Sequence, residues 1–412
     1  LAARKREVIL LAPTGRAARV LRHVTGLPAA TIHSRIYRMD ELEVEEAEDA
    51  EAADGYRYRF DLALNSDSAD AVYIVDESSM ISDVRSVGEF LQFGSGRLLA
   101  DLIRFVFGGS PKSSRRRLIL AGDSAQLPPV SDAASRALQP DYLQRELGLA
   151  CSAAEMLQVI RQKEDSPVLN LAMSMREALR QKVYSHFEVE PDGREIVVGD
   201  TASLEADLAQ NSDAVESSQV IITHSNEAAS RYNEMARRIL FPGCASVQPG
   251  DRLLVVANCR PNGVQLYNGD LVRVAEVDPG IEMVDQPLTL RRDGGARETI
   301  RLVFRRVVLR ILDEEGRERL VGTRIIENLL ESRQRDLAPE EMKALFLHFI
   351  VRYPRLKKTS PEFLRSLQAD PYFNALRVKY AYAVTCHKAQ GGEWQRVIVD
   401  MSTGFNPATE SF

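Results

Sequence analysis

The sequence predicts an α/β protein built on parallel sheets, with a smaller β-barrel inserted late in the chain. Three stretches, 7–15, 69–80 and 115–126, hold continuous apolar runs that end in polar residues. Strands without polar alternation are typically buried on both faces, as in a parallel sheet covered by helices. Ligands bind at the carboxyl ends of such strands. The three runs therefore predict a functional site along one edge of the sheet.

The length and composition indicate a globular protein of more than one domain. The chain has 412 residues, of which 44% are hydrophobic and 27% charged. No apolar run reaches membrane-spanning length, so no membrane partner is expected. The net charge of −6 argues against a broad basic surface but is compatible with a local basic groove. The four cysteines lack zinc-like spacing and predict a reducing, cytoplasmic location; they are Cys151, Cys244, Cys259 and Cys386.

Two parts of the chain carry the buried strands. The first is predicted at 1–150, with a small acidic insertion at about 39–70. The second is predicted at 151–243 and 373–412, because an apolar strand returns at 396–400. Each part is expected to form its own parallel sheet.

The segment 244–372 has a different pattern and is predicted to be an insertion in the second part. Short strands alternate with turn signals as far as about residue 323, and a helical stretch follows at 324–368. This pattern predicts a small β-barrel followed by helices. The turn signals are Pro249-Gly250, Asn262-Gly263 and Asn268-Gly269.

Carboxylates follow the second and third apolar strands. Asp76 and Glu77 stand where nucleotide hydrolases place one carboxylate near Mg²⁺, usually through water, and a neighbour that polarises the attacking water. Helix capping is an equally frequent explanation of such a pair. In GDSAQLPPV, Gln126 is positioned to contact a γ-phosphate and Asp123 to lie beside the magnesium site. A turn stopped by prolines, with a capping aspartate, is the alternative there.

Four motifs in a fixed order resemble superfamily 1 helicases: APTGRAA, VDES, GDSAQLPPV and VTCHKAQGGEW. The sequence TIHS at 31–34 and the segment GDRLLVVANCR…YNGD make the RecD-like branch the nearest likeness. The resemblance implies two RecA-like motor domains with an inserted SH3-like barrel. It further implies an enzyme that uses ATP and Mg²⁺ to move along single-stranded DNA, 5′ to 3′, in DNA repair or recombination. The expected partners are single-stranded DNA, duplex junctions and subunits of repair or recombination complexes.

The same resemblance assigns roles to individual residues. Asp76 would serve the metal, Glu77 the attacking water and Gln126 the γ-phosphate, and Arg161 would be an arginine finger. Other nucleotide-binding residues would be Asp123, Gln390, Gly391 and Glu393. The residues expected along the DNA are Pro13, Thr14, Gly15, Arg16, Thr31, His33, Thr385, His387 and Lys388.

The pattern G-x-x-x-x-G-K-[ST], which holds the nucleotide phosphates in this family, does not occur in the 412 residues. The motif that supplies a second arginine after VIVD is likewise absent. Because the interior motifs are intact, we expect a fragment of a longer helicase that is inactive by itself. The alternatives are a non-hydrolysing DNA-binding or scaffold subunit and a helicase with a nuclease domain elsewhere.

Overall fold

The structure is a computed structural model that divides into two compact units. The first unit is formed by 1–151 and 247–380, and the second by 152–246 and 381–412. Both are therefore discontinuous in sequence. The residues described are 6–38, 43–46, 56–86, 91–109, 111–130, 132, 134–156, 166–183, 189–210, 219–290, 296–313, 317–358 and 360–401.

The N-terminal part of the first unit alternates short strands with helices. Its elements are β1 (Val8–Ala12), α1 (Gly15–Thr25), β2 (Ala29–Thr31), α2 (Ile32–Ile36), β3 (Glu43–Glu46), β4 (Tyr56–Phe60), β5 (Val72–Val75), β6 (Leu91–Phe93), α3 (Leu98–Phe107), β7 (Arg117–Leu120) and α4 (Pro140–Leu147). Strands β2, β1, β5 and β7 form a parallel sheet in that spatial order. A second small sheet contains β3, β4 and β6. The predicted α/β class is therefore confirmed for this part.

The continuous apolar runs place β1 and β5 in the core of this unit. Leu11, Tyr73 and Val75 are fully buried and lie in one cluster with Ile32 of α2 and Leu102 of α3. Burying a large apolar side chain contributes about 1.5–3 kcal/mol. The sheet is therefore anchored through its central strands.

Strand β7 differs from the expected strand that is buried on both faces. It lies at the edge of the sheet, where β5 is its neighbour among the described strands. Its burial alternates along the strand, and Ile119 is 46% exposed. The prediction of full burial was wrong because an apolar run does not distinguish an edge strand from a central one.

A closed five-stranded barrel forms the C-terminal part of the first unit. The elements are β9 (Arg252–Val255), β10 (Leu271–Leu290), β11 (Ala296–Leu312), β12 (Glu318–Ile326), α8 (Pro339–Arg352), α9 (Pro361–Ala369) and β13 (Leu376–Tyr380). The barrel order is β10-β11-β12-β13-β9. Strand β13 closes it, although the sequence assigned residues from 373 onward to the other part. The sequence predicted short strands here, but β10 and β11 are much longer than expected and pair with each other as one hairpin.

The second unit is a smaller α/β arrangement. Its elements are α5 (Pro167–Gln181), α6 (Thr201–Gln210), β8 (Gln219–Thr223), α7 (Asn226–Leu240), β14 (Ala383–Thr385), α10 (Cys386–Ala389) and β15 (Arg396–Val399). Strand β8 lies between β14 and β15, and both pair with it in parallel. The apolar strand expected at 396–400 thus joins the sheet of 219–223. It is not buried, however, since Val397 is 44% and Val399 52% exposed.

Of the helices in the described part of the chain, none combines the length and apolar character needed to cross a membrane.

Candidate functional site

The acidic pair follows β5 at the carboxyl edge of the parallel sheet of the first unit. The amide of Asp76 donates to the carbonyl of Leu11 at 3.0 Å, and the amide of Ala121 donates to the carbonyl of Val75 at 2.8 Å. These bonds extend the sheet pairing into the loops after β1, β5 and β7. The three predicted polar ends are therefore neighbours along one edge of the sheet.

Glu77 adopts a backbone conformation that non-glycine residues seldom take. Its φ of 52° and ψ of 36° lie in the left-handed region, and such residues are concentrated at functional sites. The amide of Glu77 donates to Oδ1 of Asp76 at 2.9 Å. This bond fixes the Asp76 carboxylate against the start of the turn that follows β5.

Gly122 allows the loop after β7 to approach the loop after β5. The amide of Ser78 donates to the carbonyl of Ala121 at 2.8 Å. A Cβ atom on Gly122 would lie 2.9 Å from the Ser79 nitrogen and 3.1 Å from the Ser78 nitrogen. Because backbone atoms cannot yield as side chains do, a larger residue would separate the two loops.

Asp123 and Gln126 form a compact turn at the end of this loop. Oδ1 of Asp123 accepts from the amide of Ala125 at 3.0 Å, and the amide of Gln126 donates to the carbonyl of Asp123 at 3.1 Å. The capping role that the sequence left open for Asp123 is thus present. Gln126 is half-buried in this turn.

No group of three or more His, Cys, Asp or Glu side chains suited to a metal is gathered among the described residues. A Mg²⁺ ion in a nucleotide site commonly uses one or two carboxylates together with phosphate oxygens and waters. The carboxylate of Asp76 at a strand end fits that mode of binding. Asp76 therefore stays the predicted metal residue.

Thr14 and Thr31 each cap the N-terminus of a helix. The two helices begin close together because Ala12, near the end of β1, pairs with Thr31 at the end of β2. Oγ1 of Thr14 accepts from the amide of Ala17 at 3.2 Å and begins α1. Oγ1 of Thr31 accepts from the amide of Ser34 at 3.2 Å and begins α2. These predicted DNA-contact residues thus have a structural role that motif analysis did not assign.

The neighbours of Thr14 differ in exposure. Pro13 and Arg16 are partly exposed, and Gly15 is buried beneath the ring of Tyr267 in the barrel. A backbone contact with DNA at Gly15 would therefore share this space with the tyrosine ring. Sequence analysis missed Tyr267, although it lies in the quoted YNGD segment.

His33 packs among aromatic side chains. Its ring centroid lies 5.3 Å from that of Phe93 and 5.7 Å from that of Tyr37. Burial lowers the pKa of His33 from its ordinary value, because the charged imidazolium is poorly solvated there. A neutral ring can still donate or accept one hydrogen bond, but it does not supply charge to a phosphate.

In the second unit, Asn233 of α7 positions the strand that leads to the TCHKAQGGE motif. Its Oδ1 accepts from the amides of Tyr382 and Ala383, each at 2.9 Å. Its Nδ2 donates to the carbonyl of Ala383 at 3.0 Å. Asn233 is only 8% exposed. No sequence signal marked it, because its partners are about 150 residues away.

The predicted DNA residues of this unit surround α10. Thr385 is at the N-cap position without a side-chain capping bond, His387 is exposed, and Lys388 is partly exposed. Sγ of Cys386 donates to the carbonyl of Thr223 at 3.2 Å, which joins α10 to the end of β8. The exposed side of the motif therefore presents His387.

Gln390, Gly391 and Glu393 follow α10 in a tight turn. Gly391 has a φ of 69°, a conformation that favours glycine. A Cβ atom on Gly392 would lie 2.0 Å from the Trp394 ring, so the tryptophan packs on this turn. Glu393 is exposed. Arg161, the predicted arginine finger, lies outside the described residues.

The two sheets, the acidic pair at a carboxyl edge and the adjoining glycine-containing loop are typical of nucleotide-hydrolysing α/β proteins. Comparisons with known proteins narrow this class. Residues 1–93 match the AAA domain family, and residues 380–411 match the UvrD-like helicase C-terminal domain family.

A similar curated protein is the ATP-dependent RecD2 DNA helicase of Deinococcus radiodurans. The chain is 31% identical to it over 191 residues, which are 45% of this chain and 21% of that helicase. The chain therefore spans about a fifth of the length of this relative. These matches confirm the predicted resemblance to RecD-like superfamily 1 helicases.

Two solved structures also align with nearly the whole chain. One is Bacteroides sp Pif1 in complex with ADP-AlF4, with 16% identity, a TM-score of 0.34 and coverage of 98% of this chain and 79% of that one. The other shows two coordinating Pif1 helicases and DNA unwinding at forked duplex DNA, with 14% identity, a TM-score of 0.37 and coverage of 97% and 77%.

Proposed function

We propose that the chain is part of an ATP-dependent DNA helicase that moves 5′ to 3′ along single-stranded DNA in repair or recombination. One observation carries the proposal. The Asp76–Glu77 loop and the Gly122–Gln126 loop are joined by backbone hydrogen bonds at one carboxyl edge of a parallel sheet. The matches to an AAA domain and to a UvrD-like helicase C-terminal domain support it.

The residues of that edge have complementary roles in this proposal. Asp76 would hold Mg²⁺, which would neutralise charge on the phosphates, and Glu77 would polarise the water that attacks the phosphate. Asp123 lies on the metal side, and Gln126 contacts the γ-phosphate. Bound ATP supplies the phosphoanhydride bond whose cleavage drives movement. The assigned residues from elsewhere in the chain are Arg161 as arginine finger, Gln390 and Gly391 for coupling, and Glu393 for the ribose.

The five-stranded barrel fits an SH3-like accessory domain, and we propose that identity for it. Single-stranded DNA is proposed to contact the ends of β1, β2 and β14 through mostly backbone interactions. Such binding is nearly independent of sequence and weakens as salt is added. Duplex junctions and repair or recombination subunits are the further partners.

Residues 1–412 by themselves are proposed to hydrolyse ATP negligibly. The pattern G-x-x-x-x-G-K-[ST] is absent from them, and its amides and lysine stabilise the β- and γ-phosphates. Losing one comparable transition-state donor costs about 3 kcal/mol, or at least about a hundredfold in rate. The same absence favours a second candidate function, a DNA-binding subunit that does not hydrolyse ATP.

The deciding experiment is the ATPase activity of the protein encoded by the complete reading frame, measured with and without single-stranded oligo-dT. A helicase hydrolyses ATP faster with the oligonucleotide. Glu77→Gln is expected to lower kcat by at least about a hundredfold while retaining ATP binding. Glu146→Gln on the exposed face of α4 is the matched control and should leave kcat unchanged.

DNA binding without any ATP hydrolysis would select the non-hydrolysing subunit instead. Wild-type kcat in Glu77→Gln would remove Glu77 from the site.

A further inference from the structure

The barrel turn Tyr267–Asp270 packs directly on the first turn of α1. A Cβ atom on Gly15 would lie 1.9 Å from Cδ1 and 2.6 Å from Cβ of Tyr267. These distances are far below van der Waals contact, so only glycine at position 15 admits the ring. The Tyr267 ring therefore occupies the space that the side chain of any larger residue at position 15 would need.

Arg19, one helical turn further along α1, contacts the same barrel turn. Its Nη2 donates to Oδ2 of Asp270 at 2.8 Å, and its guanidinium carbon lies 5.4 Å from the centre of the Tyr267 ring. The Arg19 side chain is 22% exposed and that of Asp270 only 5%. Solvent and salt screen such a sheltered pair less than a surface pair.

The barrel holds this turn in one conformation. The amide of Asp270 donates to the carbonyl of Tyr267 at 3.0 Å, and the amide of Tyr267 donates to Oδ2 of Asp270 at 2.8 Å. Gly269 has a φ of 98°, as a turn with a left-handed third residue requires. Its amide donates to the carbonyl of Val255 at 2.8 Å. One carboxylate thus both closes the turn and pairs with α1.

The rest of α1 is weakly covered. Only Gly15 and Ala18 are buried in this helix, whereas Val20 is 46% and Val24 74% exposed. The barrel turn therefore covers the buried end of the helix, which is also the end that begins with Thr14.

We propose that Tyr267 and Asp270 are positioning residues that hold the first turn of α1 in the geometry that binds single-stranded DNA. The inference rests on the proposed DNA contacts of Thr14 and Arg16. Tyr267 acts through its packing on Gly15, and Asp270 acts through Arg19. The barrel thereby sets the affinity of a DNA contact that lies on the parallel-sheet part of the unit.

The first test is hydrogen–deuterium exchange of residues 1–412 without DNA. Tyr267→Ala should accelerate exchange in peptides covering 14–25 and leave those covering 201–210, in the other unit, unchanged. Tyr267→Phe keeps the ring and should match wild type. Tyr372→Ala is the control for general loss of barrel packing, because its ring lies 4.1 Å from Arg324; it should not change exchange in 14–25. Unchanged exchange there in Tyr267→Ala overturns the inference.

The second test is fluorescence anisotropy with labelled oligo-dT. Tyr267→Ala should weaken binding about tenfold, equivalent to about 1.4 kcal/mol, and Tyr267→Phe should not. In an Arg16→Ala background the further loss should fall below about twofold, because coupled residues are non-additive. Additive losses would show that Tyr267 contacts DNA directly and would overturn the positioning role. If wild type binds no DNA although Tyr267→Ala alters exchange, the proposed function fails, and the DNA role of the turn fails with it.

Discussion

Asn233→Ala should destabilise the second unit by about 3 kcal/mol. The substitution removes three hydrogen bonds to the backbone of Tyr382 and Ala383 at a site that is 8% exposed. A typical intramolecular hydrogen bond contributes about 1 kcal/mol, and a buried group left without a partner costs about 1–3 kcal/mol. The substitution leaves three backbone groups without this partner, and we expect each to cost about 1 kcal/mol, the lower end of that range. The cost is at the lower end because water can enter beside the shortened side chain and hydrogen-bond to these groups.

Trp394 provides the assay, because it is the only tryptophan of the chain and packs on Gly392 within the same unit. Urea unfolding followed by its fluorescence therefore reports the free energy of unfolding of this unit. Asn226→Ala, on the exposed first turn of the same helix, is the matched control and should stay within about 0.5 kcal/mol of wild type. A loss below about 1 kcal/mol in Asn233→Ala would refute the role given to this side chain.

Three further changes test other parts of the structure. Gly122→Ala should cost about 1–3 kcal/mol in calorimetry, since the added Cβ meets the backbone nitrogen of Ser79 at 2.9 Å; an unchanged melting temperature would show that the two loops can separate freely. The pKa of His33 lies below its ordinary value of 6.5, so the unfolded chain binds a proton at this residue more readily than the folded chain. The free energy of unfolding should therefore keep its full contribution from neutral His33 above about pH 6.5 and decline as the pH falls below that value. His33→Phe should flatten that decline, and an equal decline in both proteins would assign it to other groups. Arg305→Met should lower the free energy of unfolding by about 3 kcal/mol or more, measured by urea unfolding followed by circular dichroism. The substitution leaves the Glu327 carboxylate, whose side chain is 14% exposed, without the Arg305 guanidinium that lies 2.5 Å away. An unchanged free energy of unfolding would show that water solvates Glu327.

The sequence predicted the elements whose signals are local. The apolar runs gave the strands β1 and β5, and Asn268-Gly269 gave the turn before β10. The acidic pair and the glycine-containing loop were likewise expected at one sheet edge, because parallel strands share their carboxyl ends. Their backbone links follow from strand order, which apolar periodicity does not encode.

Contacts between residues that are far apart in the chain could not be predicted from the sequence. Asn233 reads as an ordinary polar residue of a helix until its partners near residue 382 are known. Gly15 fits a phosphate- or DNA-contacting motif equally well whether or not a tyrosine some 250 residues later covers it. The exposed positions of Ile119 and Val399 were missed for a similar reason, since side-chain type alone does not report a strand's place in its sheet.

Two of the edge strands in the described part of the chain, β7 and β15, have a practical consequence for handling the protein. Each has one partner among the described strands, and each carries a half-exposed branched aliphatic residue, Ile119 at 46% and Val397 at 44%. Unsatisfied backbone groups beside such side chains template aggregation by strand addition between molecules. Concentrated solutions of residues 1–412 should accordingly form oligomers rich in intermolecular β-structure. Lysine at position 119 would act as a gatekeeper and keep the protein monodisperse.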